Sequence, residues 1–347
     1  MRTAIKGHSS WIYGVSMISD ETLASVSGRN ILLWNINTQK VNFVLEGHED
    51  IIFSTSVSPD KKLLASGGLD KTICLWDLEQ KRLVCKLAKR RDPIHSVAFS
   101  PDGKLLASGG ENKYKSPNGQ KTTIYIWDVE SRELKFTLSE HNLRVGNLSF
   151  SPDGSILVSS SNDGTSRVWD ISTGEQLYVL EGCAIGGIAL TPNGSKLVGR
   201  SGNNGIKFWN AKTGEFQKSI AEQFEQIGRF GIDPSGKNIA FDVNHGIEVW
   251  NLENNERVSY LEFKWPVSIQ FSDDGKFLMS GDASAYSEGG GLVRIWKAPE
   301  LDLTIDSVED SQTQVELIDA REKIESEGYF DAENIEDARK RITTSIV

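Results

Sequence analysis

Apolar and polar residues alternate along most of this chain, in short runs separated by turns. The alternation in residues 96–99 is typical of a strand with one buried face. A Ser-Pro-Asp-Gly turn follows at 100–103, in which Pro presets φ and Gly supplies a positive φ. A second apolar run follows the turn, as in 105–108. A third run ends at a tryptophan, as in 72–76, and a fourth leads into the next unit, as in 176–180. The pattern predicts units of four short antiparallel strands.

A tryptophan closes the third run of every unit and sets the period of the chain. These residues are Trp34, Trp76, Trp127, Trp169, Trp209, Trp250 and Trp296, at intervals of 42, 51, 42, 40, 41 and 46 residues. The spacing indicates a repeat of about 40 residues with two insertions. Because four short strands bury too little surface to be stable singly, the repeats must stack. We therefore predict an all-β, seven-bladed propeller of four-stranded antiparallel blades.

Over residues 1–298 the repeats resemble the WD-repeat (WD40) β-propeller family. The family motif has Gly-His at the start of a repeat, Asp six residues before the Trp, and Trp-Asp at the end. The resemblance implies hydrogen-bonded tetrads inside two blades, formed by His48, Ser66, Asp70 and Trp76, and by His141, Ser159, Asp163 and Trp169. Other repeats depart from the motif, with Arg90 and Cys183 at or near His positions and Asn203 and Asn244 replacing Asp.

The two ends of the repeat array are expected to meet. Residues 2–6 precede Gly7-His8 as a lone strand, while only three strands of the last blade have been completed at Trp296. In the family that the repeats resemble, the N-terminal strand completes the last blade. The resemblance therefore implies a ring closed by this strand, which removes the exposed edges of an open array.

The composition changes after the seventh tryptophan. We predict a propeller at 1–298, a linker at 299–306 and an acidic helical extension at 307–347, with one helix ending at Gly328 and a second beginning after Asp331. Residues 301–347 hold 13 Asp or Glu and 5 Lys or Arg, so they carry −8 of the net charge of −10 and leave −2 for the first 300 residues. A nearly neutral propeller without a basic stripe is not expected to bind nucleic acid itself.

Two interpretations of the extension stay open. The first is a solvated acidic helix pair. The second is that residues 328–347 resemble the segment that leads into an HNH endonuclease domain in bacterial proteins. This resemblance implies a bacterial protein in which the chain is the target-sensing or regulatory half, with an HNH nuclease domain following Val347.

The sequence favours a cytoplasmic protein without a metal or cofactor. It contains no apolar stretch long enough to span a bilayer, and its N-terminus lacks an apolar leader region. We therefore predict no membrane partner. Its three cysteines, Cys74, Cys85 and Cys183, are odd in number and widely spaced, which argues against a disulfide framework or a zinc site.

No catalytic pattern is found among the polar residues. HExxH, GxSxG, phosphate-loop and EF-hand motifs are all absent from the sequence. Of the five histidines, His8, His48 and His141 occupy the repeat position where a buried structural role is expected. His95 and His245 show no Ser, Cys or carboxylate constellation around them. We predict that the protein is not an enzyme.

Large side chains gather on one predicted face of the ring. In the family that the repeats resemble, the loops between blades and those between second and third strands share the usual docking face. The candidate contact residues there are Trp11, Tyr13, Ile51, Phe53, His95, Arg144 and Trp265. The large ones cluster in blades seven, one and two, and aromatic anchors dominate interface energetics. We predict a scaffold or sensor that binds a protein or peptide on this top face; the alternative is that the rings pack inward between blades.

Basic residues occupy other parts of the same face. Both insertions, 111–121 and 282–291, fall in its loops, and loops of this length are uncommon unless functional or disordered. The first insertion is basic, and blades four to six contribute Arg144, Arg200 and Arg229. An acidic ligand on this side is one hypothesis, and solvated loops are the other.

Overall fold

The computed structural model describes the greater part of the repeat region. The described residues are 3–6 (backbone alone), 8, 11–87, 92–111, 121–182, 187–200, 205–222, 224, 227–243, 246–262, 266–282 and 292–297. The linker, the helical extension and its HNH resemblance, Trp265, Cys183, Arg90, Asn203, Asn244 and His245 lie outside them. The domain bounds therefore stay a prediction.

The described residues form 28 strands in seven four-stranded antiparallel sheets. Blade 1 contains β2 (Ile12–Ser19), β3 (Thr22–Ser27), β4 (Asn30–Asn35) and β5 (Lys40–Glu46). Blade 2 contains β6 (Ile52–Val57), β7 (Leu63–Gly68), β8 (Ile73–Asp77) and β9 (Arg82–Leu87), and blade 3 contains β10 (Ile94–Phe99), β11 (Leu105–Gly110), β12 (Thr122–Asp128) and β13 (Leu134–His141). Blade 4 contains β14 (Val145–Phe150), β15 (Ile156–Ser161), β16 (Thr165–Asp170) and β17 (Gln176–Glu181).

The remaining three blades repeat this order of strands. Blade 5 contains β18 (Ile188–Leu190), β19 (Lys196–Arg200), β20 (Ile206–Asn210) and β21 (Phe216–Ile220). Blade 6 contains β22 (Phe230–Ile232), β23 (Asn238–Val243), β24 (Gly246–Asn251) and β25 (Arg257–Glu262). Blade 7 contains β26 (Pro266–Phe271), β27 (Phe277–Asp282), β28 (Leu292–Lys297) and, as its outer strand, β1 (Thr3–Lys6). The predicted seven-bladed propeller is confirmed.

The first strand in the chain closes the ring. β1 pairs antiparallel with β28, with Thr3 opposite Ile295 and Lys6 opposite Leu292. The last blade is therefore built from both ends of the repeat region, as the sequence predicts. This pairing covers the edge of β28 that would otherwise be open for pairing with another chain.

The core consists of seven apolar clusters, and each cluster joins two neighbouring blades. Between blades 1 and 2, for example, Val26 and Ile31 pack with Leu64 and Trp76. The seventh cluster joins Ile12 of blade 1 to residues of blade 7, including Met279 and Ile295. Each blade thus buries its faces against its neighbours, which is why the repeats are stable only as a stacked ring.

The Ser-Pro-Asp-Gly turns have the geometry that their residues require. In blade 3, Ser100 Oγ donates to Asp102 Oδ1 at 2.6 Å, and the backbone N–H of Lys104 donates to the same oxygen at 3.0 Å. Gly103 takes φ 72°, in the left-handed region that favours glycine. A Cβ added at Gly103 would lie 3.5 Å from Pro59 Cδ of the preceding blade, so the turns of neighbouring blades also pack together.

Candidate partner-docking face

Within the described ranges, the inner strand of five blades begins with a β-bulge on the top face. The register shifts between Ile12 and Gly14, Ile52 and Ser54, Ile94 and Ser96, Val145 and Asn147, and Pro266 and Ser268. The skipped residue of each strand has no partner in the ladder, and a bulge re-aims such a side chain. These skipped residues are Tyr13, Phe53, His95, Gly146 and Val267.

Four aromatic rings form a continuous row across blades 1, 2 and 3. The centroid of Trp11 lies 6.2 Å from that of Tyr13, and Tyr13 meets Phe53 edge to face at 5.8 Å. Phe53 stacks on His95 at 4.5 Å with an interplanar angle of 13°. All four side chains are half-buried, so they pack on one another across blades and still present part of their surface to solvent. We call these four residues the ring row.

The ring row contains four of the contact residues that the sequence predicts. The sequence groups the large side chains in blades seven, one and two, and the described row extends from blade 1 into blade 3 through His95. Trp265 of blade 7 lies outside the described residues. Ile51 is half-buried beside the row, and its carbonyl accepts the backbone N–H of Leu69 at 2.7 Å.

A carboxylate lies next to the ring row, contrary to the expectation that His95 has no such neighbour. His95 Nε2 lies 3.3 Å from Glu111 Oε2. Glu111 follows the second strand of the same blade, and its backbone N–H donates to the carbonyl of Pro93 at 3.2 Å. The expectation was wrong because strand pairing, which the spacing of 16 residues does not reveal, brings Glu111 beside His95.

Three arginines lie on blades 4, 5 and 6 of the same face. Arg144 precedes β14, Arg200 ends β19, and Arg229 immediately precedes β22. The carbonyl of Arg144 accepts from the backbone of Asn162 at 2.9 Å, and the carbonyl of Arg229 accepts from the backbone of Asp242 at 3.0 Å. Arg144 and Arg200 are half-buried and Arg229 is exposed. We call these three residues the arginine arc.

Surrounding protein and neighbouring charges both shift the pKa of Arg229. Surrounding protein desolvates this guanidinium and lowers its pKa. The carboxylate of Asp242 opposes that shift, while the charges of Arg144 and Arg200 add to it. The three arginines therefore share one electrostatic environment.

Inside blades 2 and 4, the tetrad residues form hydrogen-bonded chains. His48 Nδ1 lies 2.8 Å from Asp70 Oδ2, His48 Nε2 lies 2.7 Å from Ser66 Oγ, and Trp76 Nε1 donates to Ser66 Oγ at 2.7 Å. In blade 4 the corresponding distances are 2.9, 2.8 and 2.8 Å for His141 to Asp163, His141 to Ser159 and Trp169 to Ser159. These buried chains link the strands within each blade.

Hydrogen bonds keep the tetrad carboxylates ionised in spite of their burial. Burial alone raises the pKa of Asp70. The hydrogen bonds from His48, from the Glu49 backbone and from Thr72 outweigh this, so the pKa of Asp70 lies well below its usual range. The same balance lowers the pKa of Asp163 in blade 4, where His141, Thr165 and the Asn142 backbone donate.

Blades 5 and 6 replace the serine of the tetrad. Gly199 occupies that register position in blade 5, and a Cβ there would lie 3.3 Å from Trp209 Cζ3. In blade 6 the position holds Phe241, and Trp250 Nε1 instead donates to Glu248 Oε2 at 3.1 Å. The sequence signals the departure at these blades, but the substitute acceptor for Trp250 is visible only once the strands are paired.

No group of three or more His, Cys, Asp or Glu side chains in the described ranges is arranged to hold a metal ion. Burial raises the pKa of the Cys74 thiol to about 12, so this thiol is not a nucleophile at neutral pH. In the described part of the chain, no helix has the length and apolarity needed to cross a membrane.

Comparisons with known proteins agree with the repeat architecture. A family model described as WD domain, G-beta repeat matches residues 39–77, 82–128 and 132–170. The small ribosomal subunit protein RACK1y of Oryza sativa subsp. japonica is 35% identical over 178 residues, which are 48% of this chain and 50% of that protein. WD repeat and SOCS box-containing protein 1 of Xenopus tropicalis is 49% identical over 61 residues, 17% of this chain and 14% of that protein.

The chain matches only part of each relative. The chain spans half of the rice protein and a smaller part of the frog protein, so their activities and partners are not transferred to it. The three matched segments end at the Trp-Asp pairs of blades 2, 3 and 4, two of which contain complete tetrads. These matches give the HNH alternative no support, and it stays a prediction.

Proposed function

We propose, from the premise that this chain is a seven-bladed WD-repeat β-propeller, that it is a non-catalytic scaffold whose top face docks a protein or peptide. The rice relative supports the scaffold role through its name, which describes a component of a larger assembly. The proposal includes a cytoplasmic location and no binding of nucleic acid or membrane by the propeller itself.

The ring row is the observation that carries the proposal. Trp11, Tyr13, Phe53 and His95 lie at the same end of three successive inner strands, and each is half-buried. Bulges fix the backbone at Tyr13, Phe53 and His95, and Trp11 packs on Tyr13, so a partner would meet a surface that is already ordered. Aromatic anchors in such positions typically contribute about 2 kcal/mol or more each to binding when truncated.

Affinity capture with matched variants tests the proposal. The bait is the full chain, as wild type, as Trp11→Ala/Phe53→Ala, and as the control Phe43→Ala/Phe216→Ala. The control also removes two rings, but from outer strands, where Phe43 is 39% and Phe216 is 56% exposed. Proteins bound to each bait from a cell extract are quantified by mass spectrometry, and the melting temperature of each bait is measured.

We expect at least one protein to bind to the wild type and to the control but not to Trp11→Ala/Phe53→Ala. The melting temperatures of the three baits should stay close together. Capture of the same proteins in equal amounts by all three baits would contradict docking at the ring row. A large fall in the melting temperature of Trp11→Ala/Phe53→Ala would show that these rings serve the core instead.

A further inference from the structure

A cavity of about 370 Å³ lies between blades 5 and 6. Its walls come from the turn after the inner strand of each blade, from β20 and β21 of blade 5, and from the turn before β25 of blade 6. The ring row stands where the inner strands begin, so the cavity lies at the other end of the blades. Its volume is within the range of about 300–1,000 Å³ that is typical of small-molecule sites.

Two lysines line this cavity at positions where other blades carry apolar or aromatic side chains. Lys196, like Ile156 of blade 4, pairs with the residue after the tryptophan of its blade. Lys218, like Tyr178 of blade 4, pairs with the residue before that tryptophan. Ile156 and Tyr178 pack against the core cluster that joins blades 4 and 5. The corresponding residues of blade 3, which also pack against a core cluster, are Leu105 and Phe136. Blade 5 thus has two charges where the repeat elsewhere has packing, and both charges line the same cavity.

Neighbouring groups fix the ammonium group of Lys218 at the cavity wall. Its Nζ donates to the carbonyl of Leu252 at 3.1 Å and to Asn255 Oδ1 at 2.6 Å, both in blade 6. The same atom lies 5.2 Å from the centroid of the Phe208 ring. Because an ammonium group has three protons, these contacts with the described residues leave one for a ligand. A ligand would therefore meet a donor that is already ordered.

The cavity is positively charged in a negatively charged protein. Two lysines and one glutamate, Glu253, line it and give it a net charge of +1, whereas the whole chain carries −10. In the described part of the chain, neither lysine forms an ion pair with a carboxylate. Burial and the charge of Lys196 both lower the pKa of Lys218. An anion bound between the two ammonium groups would reduce their repulsion and the cost of their burial.

The chemistry of the lining favours a phosphate group with hydroxyl groups beside it. A phosphate monoester carries a charge of about −1.5 to −2 at pH 7 and three acceptor oxygens, which matches two ammonium groups. Lysine binds phosphate as a point charge and lacks the planar fork with which arginine pairs with a carboxylate. Ser195 Oγ donates to Asn193 Oδ1 at 2.8 Å, and Ser235 Oγ donates to Asp233 Oδ2 at 2.9 Å. Both serines line the cavity, so their oxygens can accept hydrogen bonds from a ligand.

We propose that the cavity between blades 5 and 6 binds a small hydroxylated phosphate monoester, with its phosphate between Lys196 and Lys218 and its hydroxyl groups towards Ser195 and Ser235. This site is separate from the docking face and does not rest on the function proposed for it.

Isothermal titration calorimetry of the full chain, in a buffer without phosphate, tests the site. The probe is α-glycerophosphate, which combines a phosphate monoester with hydroxyl groups in a very small molecule. Glycerol lacks the phosphate, glycerate has a carboxylate in its place, and inorganic phosphate lacks the hydroxylated carbon chain. The wild type is compared with Lys196→Gln/Lys218→Gln. The control is Lys212→Gln/Lys237→Gln, which removes the same charge from exposed lysines of blades 5 and 6 that do not line the cavity.

The wild type is expected to bind α-glycerophosphate about tenfold more tightly than glycerol or glycerate, because its phosphate forms charge-assisted hydrogen bonds with both lysines. Inorganic phosphate should bind more weakly than α-glycerophosphate. The preference for α-glycerophosphate should disappear in Lys196→Gln/Lys218→Gln and persist in the control.

Equal affinity of the wild type for α-glycerophosphate and glycerate, or no binding of α-glycerophosphate, would overturn the phosphate site. Equal affinity for inorganic phosphate would overturn the role of the ligand's hydroxyl groups. A preference that persists in Lys196→Gln/Lys218→Gln, or an equal loss in the control, would place the binding outside this cavity and also overturn the proposal. The comparison of probes on the wild type needs no variant, so it holds even if a substitution impairs folding.

Discussion

Ser66 is the central link of the hydrogen-bonded chain inside blade 2, and Ser66→Ala tests what the chain contributes to stability. Since the Asp70 carboxylate only accepts, His48 Nδ1–H donates to it at 2.8 Å. His48 Nε2 then accepts the Ser66 hydroxyl proton at 2.7 Å, and Ser66 Oγ accepts from Trp76 Nε1 at 2.7 Å. Two of the three links use the serine oxygen, and Ser66 has no solvent exposure.

The magnitude follows from the groups that alanine leaves without a partner. Both the Trp76 indole N–H and His48 Nε2 are buried, and each unsatisfied group costs about 1–3 kcal/mol. We expect Ser66→Ala to lower the free energy of unfolding by about 4 kcal/mol. In blade 3, Ser108 accepts the tryptophan bond from Trp127 at 2.9 Å, but the sequence has Arg90 where blade 2 has His48. Ser108→Ala should therefore cost about half as much.

Urea unfolding monitored by tryptophan fluorescence and by circular dichroism measures both losses. The two variants delete the same hydroxyl from the same strand position in neighbouring blades, so each is the control for the other. Equal losses in Ser66→Ala and Ser108→Ala, or a loss below about 1 kcal/mol in Ser66→Ala, would refute the reasoning that the histidine link stabilises the blade.

Two further predictions concern the joined ends of the ring. Deleting residues 1–6 removes the four-residue pairing of β1 with β28, which should lower the free energy of unfolding by about 2–4 kcal/mol in urea titrations. The open edge of β28 should also cause concentration-dependent association in analytical ultracentrifugation. Unchanged stability and a monomer at all concentrations would contradict this prediction. Burial lowers the pKa of His8 to about 4, so the unfolded chain takes up the proton first as the pH falls. Stability should decrease between about pH 6.5 and pH 4 by roughly 3 kcal/mol, and His8→Gln should flatten this dependence in urea titrations, whereas equal pH slopes would refute it.

Strand alternation, turn chemistry and the tryptophan period were enough to predict the propeller. These are local properties, because a strand's buried face and a turn's φ angles depend on residues a few positions apart. The resemblance to WD-repeat proteins added the closure of blade 7 by Thr3–Lys6, and the pairing of β1 with β28 confirms it. The sequence also placed Trp11, Tyr13 and Phe53 at the same end of successive inner strands.

The sequence did not predict how the side chains of the docking face contact one another. A bulge is a property of two paired strands, so the re-aimed positions of Tyr13, Phe53 and His95 appear only in the register. The stacking of His95 on Phe53 and its contact with Glu111 depend on the same pairing. Trp265, the predicted blade-seven member of the cluster, lies outside the described residues, so the centre of the cluster stays a prediction.

The amino-acid sequence by itself determined the repeat, the number of blades and which residues end each strand, because these depend on short-range periodicity. Only the tertiary structure decided which side chains from different blades meet. Arg144, Arg200 and Arg229 are separated by 56 and 29 residues in the sequence, yet the charges of Arg144 and Arg200 both lower the pKa of Arg229 in the folded chain. Position around the ring arises from contacts between repeats, and no local pattern encodes it.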